Sequence, residues 1–329
     1  MQIAVLGSGM WACALATLLA KMGHRVNLWG RNPERVQQLR CNRQHPHIKA
    51  TFPASIAFTT ELKDALHEVE LVIESVTLGG LRDALGALRR HQLDVPLILT
   101  SKGIELQTHQ LPSQIATEIF QKKLSAPILA LSGPTLAREV MEERPTCAVI
   151  ACKDLEIAIE ISKTLSTSYF HVYPHSDVLG VQFGGAYKNI IAIACGLLDG
   201  MGQEKNTKAA LLTRGLHEMR RIALAIGCLP QTLIGLSGLG DLVATSLSFE
   251  SRNYQLGKLL IEGYSPQAAR ERIGSSVEGI DTCRAILSLS QSKGVNLPLA
   301  KAVFGCLNGD SPKALIEELM RFSPHPEWT

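Results

Sequence analysis

The sequence predicts an α/β fold: a Rossmann-type, doubly wound and mostly parallel sheet at the amino end, followed by an all-α domain. Three observations predict it. Short apolar runs alternate with helical patterns through the first half of the chain. A glycine-rich turn joins the first apolar run to the first helical stretch. Beyond Pro174 the strand-like runs stop and only helical periodicity continues, so domains are expected at 1–177 and 178–329.

Gln2-Ile3-Ala4-Val5-Leu6 reads as a buried strand, and a helix is expected from about Met10, apolar from Ala14 to Met22 and stopped by Gly23. Between them Gly7, Gly9 and Ala12 occupy the three positions of a G-x-G-x-x-A fingerprint. Gly7 permits the tight turn, Gly9 lets backbone amides approach a pyrophosphate, and Ala12 keeps helix and strand close. The helix then directs its positive end at the phosphates, so this segment predicts a dinucleotide site. A second strand, Val26-Asn27-Leu28-Trp29, follows, then a helix opened by Pro33.

Ile56-Ala57-Phe58 is a short strand, and residues 69–75 form another, interrupted by Glu70. Further strands are expected at 96–100, 127–131, 146–151 and 169–173, with helices such as 81–88 and 155–165 between them. Gly7-Ser8-Gly9, Ser101-Lys102-Gly103 and Ser132-Gly133-Pro134 all fall at strand ends, where ligands collect in such sheets, and one shared cleft is expected. In the second half, residues 178–198 and 209–226 read as long helices, with shorter ones near 254–262, 280–293 and 298–305. The closing Ser323-Pro324-His325-Pro326-Glu327-Trp328-Thr329 reads as a surface tail.

Composition excludes several classes. With 33 basic and 30 acidic residues the net charge is +3, too little for a nucleic-acid surface. Eight cysteines, none paired as C-x-x-C and most in apolar runs, read as buried reduced thiols. No run reaches the ~18 apolar residues of a membrane span, and the chain opens directly on its first strand. A cytoplasmic protein is expected. His171 and His175 flank Pro174 in a strand-like stretch and share no helical face, so no metal site is expected. His24, His45 and His47 read as surface residues.

Two further stretches carry chemistry. Lys188-Asn189 lies within Phe183-Gly184-Gly185-Ala186-Tyr187-Lys188-Asn189-Ile190-Ile191, apolar around the wheel. Such a lysine sits either on a solvated stripe or in a cleft, where burial would lower its pKa and suit it to acid–base work. Gly235-Leu236-Ser237-Gly238-Leu239-Gly240-Asp241 is a second glycine-rich run, leading through Thr245 to Ser251-Arg252-Asn253. Asp241 reads either as a helix cap or as a site carboxylate. Arg252-Asn253 reads either as solvated surface or as a fork for a phosphate.

Taken together, these motifs resemble the bacterial-type NAD(P)-dependent glycerol-3-phosphate dehydrogenases. The resemblance rests on Gly7-x-Gly9-x-Trp11-Ala12, Trp29-x-Arg31, Ser101-Lys102-Gly103 and Ser132-Gly133-Pro134-x-x-Ala137-x-Glu139-Val140. It continues through Lys188-Asn189, Gly238-x-Gly240-Asp241-x-x-x-Thr245, Ser251-Arg252-Asn253 and Glu278-Gly279, in family order along nearly the whole chain. It implies reduction of dihydroxyacetone phosphate by NADH or NADPH to sn-glycerol 3-phosphate, the phospholipid backbone, with no metal and by a homodimer. It implies Lys188 as proton donor and acceptor, Asp241 pairing with it, and Lys102 reaching the substrate from the nucleotide domain. Arg252 and Asn253 would bind the substrate phosphate, with Gly133, Thr135, Asn189, Thr245 and Ser251 as further substrate contacts. Gly7, Gly9, Met10, Trp11, Arg31, Lys102, Ala137, Arg252 and Glu278 would contact the cofactor.

The chain departs from the family at Met10, Ala12, Cys13, residues 183–187, Ala244, Ser246 and Ser276, none of which removes a charged catalytic group. The second strand ends Trp29-Gly30-Arg31-Asn32 with no acid to accept a ribose hydroxyl, and Glu34 behind Pro33 reads as a first-turn helix residue. Arg31 can pair with a 2′-phosphate, so NADPH is expected to be accepted beside NADH. Two other readings compete: another hydroxyacid or sugar-acid dehydrogenase on the same plan, and a non-catalytic NAD(P) sensor. The sensor would have no use for Lys188, Asp241 and Arg252 together.

Overall fold

The structure, a computed structural model, describes residues 1–46, 50–92, 94–121, 124–274 and 276–321. The expected tail and His47 lie outside them. The chain forms two compact units, one of Met1–Ser101 with Pro112–Val178, the other of Lys102–Leu111 with Leu179–Thr329. The longer pieces of the two units meet between Val178 and Leu179. The ten-residue excursion of 102–111 into the helical unit was not foreseen.

Among the described residues the first unit holds eight strands: β1 (Gln2–Leu6), β2 (Arg25–Trp29), β3 (Ile56–Thr59), β4 (Leu71–Glu74), β5 (Leu97–Leu99), β6 (Ile128–Ser132), β7 (Thr146–Ala151) and β8 (Phe170–His175). Its helices are α1 (Met10–Lys21), α2 (Pro33–Asn42), α3 (Leu62–Ala65), α4 (Leu78–Arg90), α5 (Pro112–Phe120), α6 (Ala137–Met141) and α7 (Leu155–Leu165). The strands line up as β3-β2-β1-β4-β5-β6-β7-β8, all parallel except the β6–β7 pair. Each central strand is apolar on both faces because helices cover both. Ile3 and Val5 face the core built with α1, α6 and α7, whereas Ala4 and Leu6 face the one built with α4 and α5. The order reverses between β1 and β4, and the turn after β1 therefore opens at the sheet's switch point.

The second unit is built of α8 (Val178–Gly200), α9 (Lys205–Ala225), α10 (Pro230–Ile234), α11 (Asp241–Ser246), α12 (Arg252–Ile261), α13 (Pro266–Ile273), α14 (Glu278–Ser292), α15 (Pro298–Leu307) and α16 (Lys313–Leu319). Leu236–Gly240, within the second glycine-rich run, forms a π-helical turn running into α11. Helix α8 is long and apolar enough to cross a membrane by length and composition, but its apolar stretch is buried among the other helices. It is the central rod of the unit, apolar all round for that reason. Ile104 and Leu111, 1% and 3% exposed, pack into the same core, which is why the 102–111 segment belongs here.

Candidate active site

Within the first unit the fingerprint folds as its residues dictate. Gly7 has φ +136°, and a Cβ there would stand 2.2 Å from the Ser75 carbonyl oxygen at the end of β4. Only glycine fits. Gly9 is the N-cap of α1, and a Cβ on it would meet nothing within 4 Å. The α1 N-terminus has no side-chain cap and no acid in its first turn, so its positive end stays available to an anion. Ala12 is fully buried, Met10 is 41% exposed and Trp11 is half-buried against the core. These features fit a bound dinucleotide pyrophosphate.

Arg31 is exposed beyond β2, and Glu34 lies in the first turn of α2 as expected. Sequence reading missed Arg35. Its Nε donates to the Ser8 carbonyl at 2.8 Å, and its Nη2 lies 2.9 Å from His45 Nε2. His45, expected on the surface, is 1% exposed and lies against this guanidinium. On the same carboxyl edge of the sheet, Gly133 follows β6 with φ +145° and is pressed against Ala148 Cα. Thr135 Oγ1 donates to the Gly133 carbonyl at 3.2 Å, and Ala137 opens α6.

The second unit brings Lys188, Asp241, Thr245 and Lys102 together. Small residues make this possible: a Cβ on Gly184, one turn before Lys188, would stand 2.5 Å from the Ser237 carbonyl. The π turn thereby lies directly on α8 and delivers Asp241, the first residue of α11. Asp241 does not serve as the N-cap; Gly240 holds that position. Lys188, 7% exposed, donates to Asp241 Oδ1 and, at 2.7 Å, to Thr245 Oγ1. The solvated-stripe reading of Lys188 is thereby excluded. Thr245 donates in turn to Asp241 Oδ1 at 3.1 Å. Lys102 Nζ donates to Asp241 Oδ2 at 2.6 Å. Lys102 joins Asp241 from inside the helical unit, not from the nucleotide-binding unit as expected.

The electrostatics follow from this geometry. Burial lowers the Lys188 ammonium from 10.5 to about 8, opposed by Asp241 and assisted by the Lys102 charge. Burial alone would raise Asp241, but the two ammonium groups outweigh it and hold the carboxyl below its usual range. The cluster is an ionised carboxylate holding two lysines, one of them poised near neutrality.

Asn189, next to Lys188, is 5% exposed. Helix α12 also lies directly on α8: a Cβ on Gly196 would stand 2.0 Å from the Tyr254 carbonyl, and one on Gly257 2.2 Å from the Ile193 carbonyl. Ser251, expected to line the site, is the N-cap of α12 and accepts from the Tyr254 amide at 3.3 Å. Arg252 opens α12 with an exposed side chain whose Nη1 lies 3.5 Å from Ser276 Oγ. Asn253 is 8% exposed, and its Oδ1 accepts from the Gly279 amide at 3.0 Å, fastening α12 to the first turn of α14 where Glu278 stands half-buried. Its carbonyl oxygen is thus engaged in the fold, and a phosphate would meet only the amide end of this residue.

Sequence models of the NAD-dependent glycerol-3-phosphate dehydrogenase N-terminus and C-terminus match residues 2–158 and 177–317. A protein named glycerol-3-phosphate dehydrogenase (NAD(P)+) from Chlamydia muridarum is 43% identical over 325 residues, 97% of each chain. The one from Protochlamydia amoebophila is 42% identical over 323 residues, again 97% of each. The crystal structure of glycerol-3-phosphate dehydrogenase from Coxiella burnetii superposes with a TM-score of 0.90 at 32% identity, covering 97% of this chain and 99% of that one.

Proposed function

We propose roles for these residues on the premise that the chain belongs to the NAD(P)-dependent glycerol-3-phosphate dehydrogenases. Its reaction is hydride transfer between NAD(P)H and dihydroxyacetone phosphate, giving glycerol 3-phosphate. The observation that carries the assignment of roles is the buried Lys188 ammonium, brought to about 8 and held on Asp241 and Thr245.

The nicotinamide, when bound, supplies the hydride. Lys188 does the proton chemistry: as charge grows on the ketone oxygen, its ammonium stabilises that oxygen and gives up a proton to it. A pKa near 8 places the donor close to working pH, where proton transfer is efficient in both directions. Asp241 stays ionised and fixes the lysine's orientation; Thr245 supplies the second contact. Lys102 keeps Asp241 paired after Lys188 has become neutral, and its charge eases the proton off Lys188.

Arg252, at the positive end of the ten-residue helix α12, takes the substrate phosphate together with the Asn253 amide. Gly133, Thr135 and Asn189 add substrate contacts. Gly7, Gly9, Met10, Trp11, Arg31, Ala137 and Glu278 hold the cofactor, with NADPH accepted through Arg31. We place the enzyme in the cytoplasm as a homodimer whose product feeds glycerophospholipid synthesis, on the family resemblance. The deciding experiment follows loss of NADPH or NADH absorbance on addition of dihydroxyacetone phosphate, in wild type and Lys188→Met. Wild-type turnover that survives the substitution within a few-fold would remove Lys188 from the mechanism.

A further inference from the structure

The end of β4 carries a carboxyl group with no role in the chemistry above. Glu74 is the last residue of β4, in register with Leu6 of β1, and is 0% exposed. It lies one residue before Ser75, whose carbonyl forms the wall against Gly7. Its Oε1 accepts from the Val76 amide at 2.7 Å, and its Oε2 from the Ser101 amide at 3.3 Å. Ser101 Oγ lies 2.6 Å from Glu74 Oε1 and 2.7 Å from the Val76 carbonyl oxygen. Both neighbours of that hydroxyl are oxygens, and a hydroxyl has one proton to give. An ionised Glu74 would leave one of the two contacts without a hydrogen. With a proton on Oε1 the count closes: the acid donates to Ser101 Oγ, and Ser101 donates to the Val76 carbonyl.

We propose that Glu74 is a positioning residue that works as a neutral carboxylic acid, clamping the carboxyl ends of β4 and β5 together beside the dinucleotide turn. The inference rests on the reading of that turn as the cofactor site. Burial pushes the Glu74 carboxyl up from 4.5 to about 7, with the hydrogen bonds from Ser101 and Val76 opposing it. Among the described residues, what faces it is uncharged: Leu6 from β1, Leu99 and Thr100 from the end of β5, and Ser101 and Val76 from the turns. Lys102, next along the chain, is committed to Asp241. The clamp holds while the proton is on and loosens as pH rises through about 7. A raised acid contributes stability that is complete below its unfolded value and lost as pH passes its folded one.

Glu74→Gln tests this, because it cannot ionise and its amide nitrogen can donate to Ser101 Oγ, at the pH-independent cost of the bond that Oε1 accepts from the Val76 amide. The melting temperature of Glu74→Gln minus that of wild type should grow by about 5 °C between pH 4.5 and pH 7.5 and then level off. Affinity for NADPH, read by fluorescence, should weaken across pH 7 more in wild type than in Glu74→Gln. Glu74→Asp, which keeps an acid but shortens its reach, should lose cofactor affinity that Glu74→Gln keeps. A melting-temperature difference that stays constant with pH overturns the neutral acid. The expected melting difference combined with parallel affinity profiles overturns the positioning role. Absence of NADPH and NADH binding by wild type would instead overturn the cofactor site.

Discussion

Replacing Lys188 by Met separates a catalytic lysine from a structural one, because the two predict opposite signs for stability. Lys188 is buried and its ammonium is displaced from 10.5 to about 8. A displacement of that size corresponds to about 3 kcal/mol, by which the folded state disfavours the charged form. The sign follows from linkage. Between pH 8 and 10.5 the unfolded chain binds the proton and the folded one does not, so stability rises with pH through that window. Below pH 8 the full penalty is present. Methionine fills a similar volume without the charge, and Asp241 keeps Lys102 as its partner. The variant should therefore melt no lower than wild type at pH 7, with an upper bound of about 3 kcal/mol gained. Turnover should fall roughly 10²-fold or more, the scale of a lost acid–base group, while NADPH still binds. The assays are calorimetry at pH 7 and pH 10.5, single-wavelength turnover, and a fluorescence titration with NADPH. A variant that melts far below wild type, or whose advantage at pH 7 does not shrink by pH 10.5, would refute the reasoning.

Reduction of dihydroxyacetone phosphate should fall above pH 8 in wild type as Lys188 loses its proton, and Lys102→Gln should move that limb upward, since the Lys102 charge lowers Lys188; a pH–rate profile of kcat reads both. Arg252→Ala should raise KM for dihydroxyacetone phosphate by the equivalent of about 1.5–3 kcal/mol and leave the weak reaction of unphosphorylated dihydroxyacetone nearly unchanged. Equal losses on both substrates would assign Arg252 to the fold. Arg31→Ala should lower kcat/KM for NADPH more than for NADH, and an unchanged ratio would show that Arg31 does not read the 2′-phosphate.

Much of the fold was legible because parallel strands buried on both faces must be apolar throughout. That signal located β1, β5 and β7 closely, and the fingerprint located the turn. The antiparallel β6–β7 pair was not legible, since each strand's own pattern says nothing of its neighbour's direction. The 102–111 segment was hidden for a related reason: Ile104 and Leu111 are apolar, but nothing local says which core they join. Around the site, Lys188 was legible as a lysine in apolar company, but its state depends on Asp241 and Lys102, 53 and 86 positions away in sequence. Ser251 carried a readable N-cap signal, a serine opening a helix, that its place in a family motif obscured. Arg35 looked like any charged residue on a surface helix. Glu74 resembled Glu70 four positions earlier, and only the strand's end point distinguishes the exposed acid from the buried one.

The ten-residue excursion has a consequence for dissection of the enzyme. Neither unit is a continuous stretch of polypeptide: the chain passes from one to the other at Ser101, returns at Pro112 and leaves again at Val178. A fragment ending at 178 would carry away Lys102, Ile104 and Leu111, which the helical unit needs for its charge cluster and its core. A fragment beginning at 179 would fold, if at all, with a hole in its interior and Asp241 short of one cation. No single scission yields both parts intact. Gene fusion, exchange of halves between relatives or expression of an isolated catalytic module would each have to respect three junctions, so the two units are inherited and redesigned as one object.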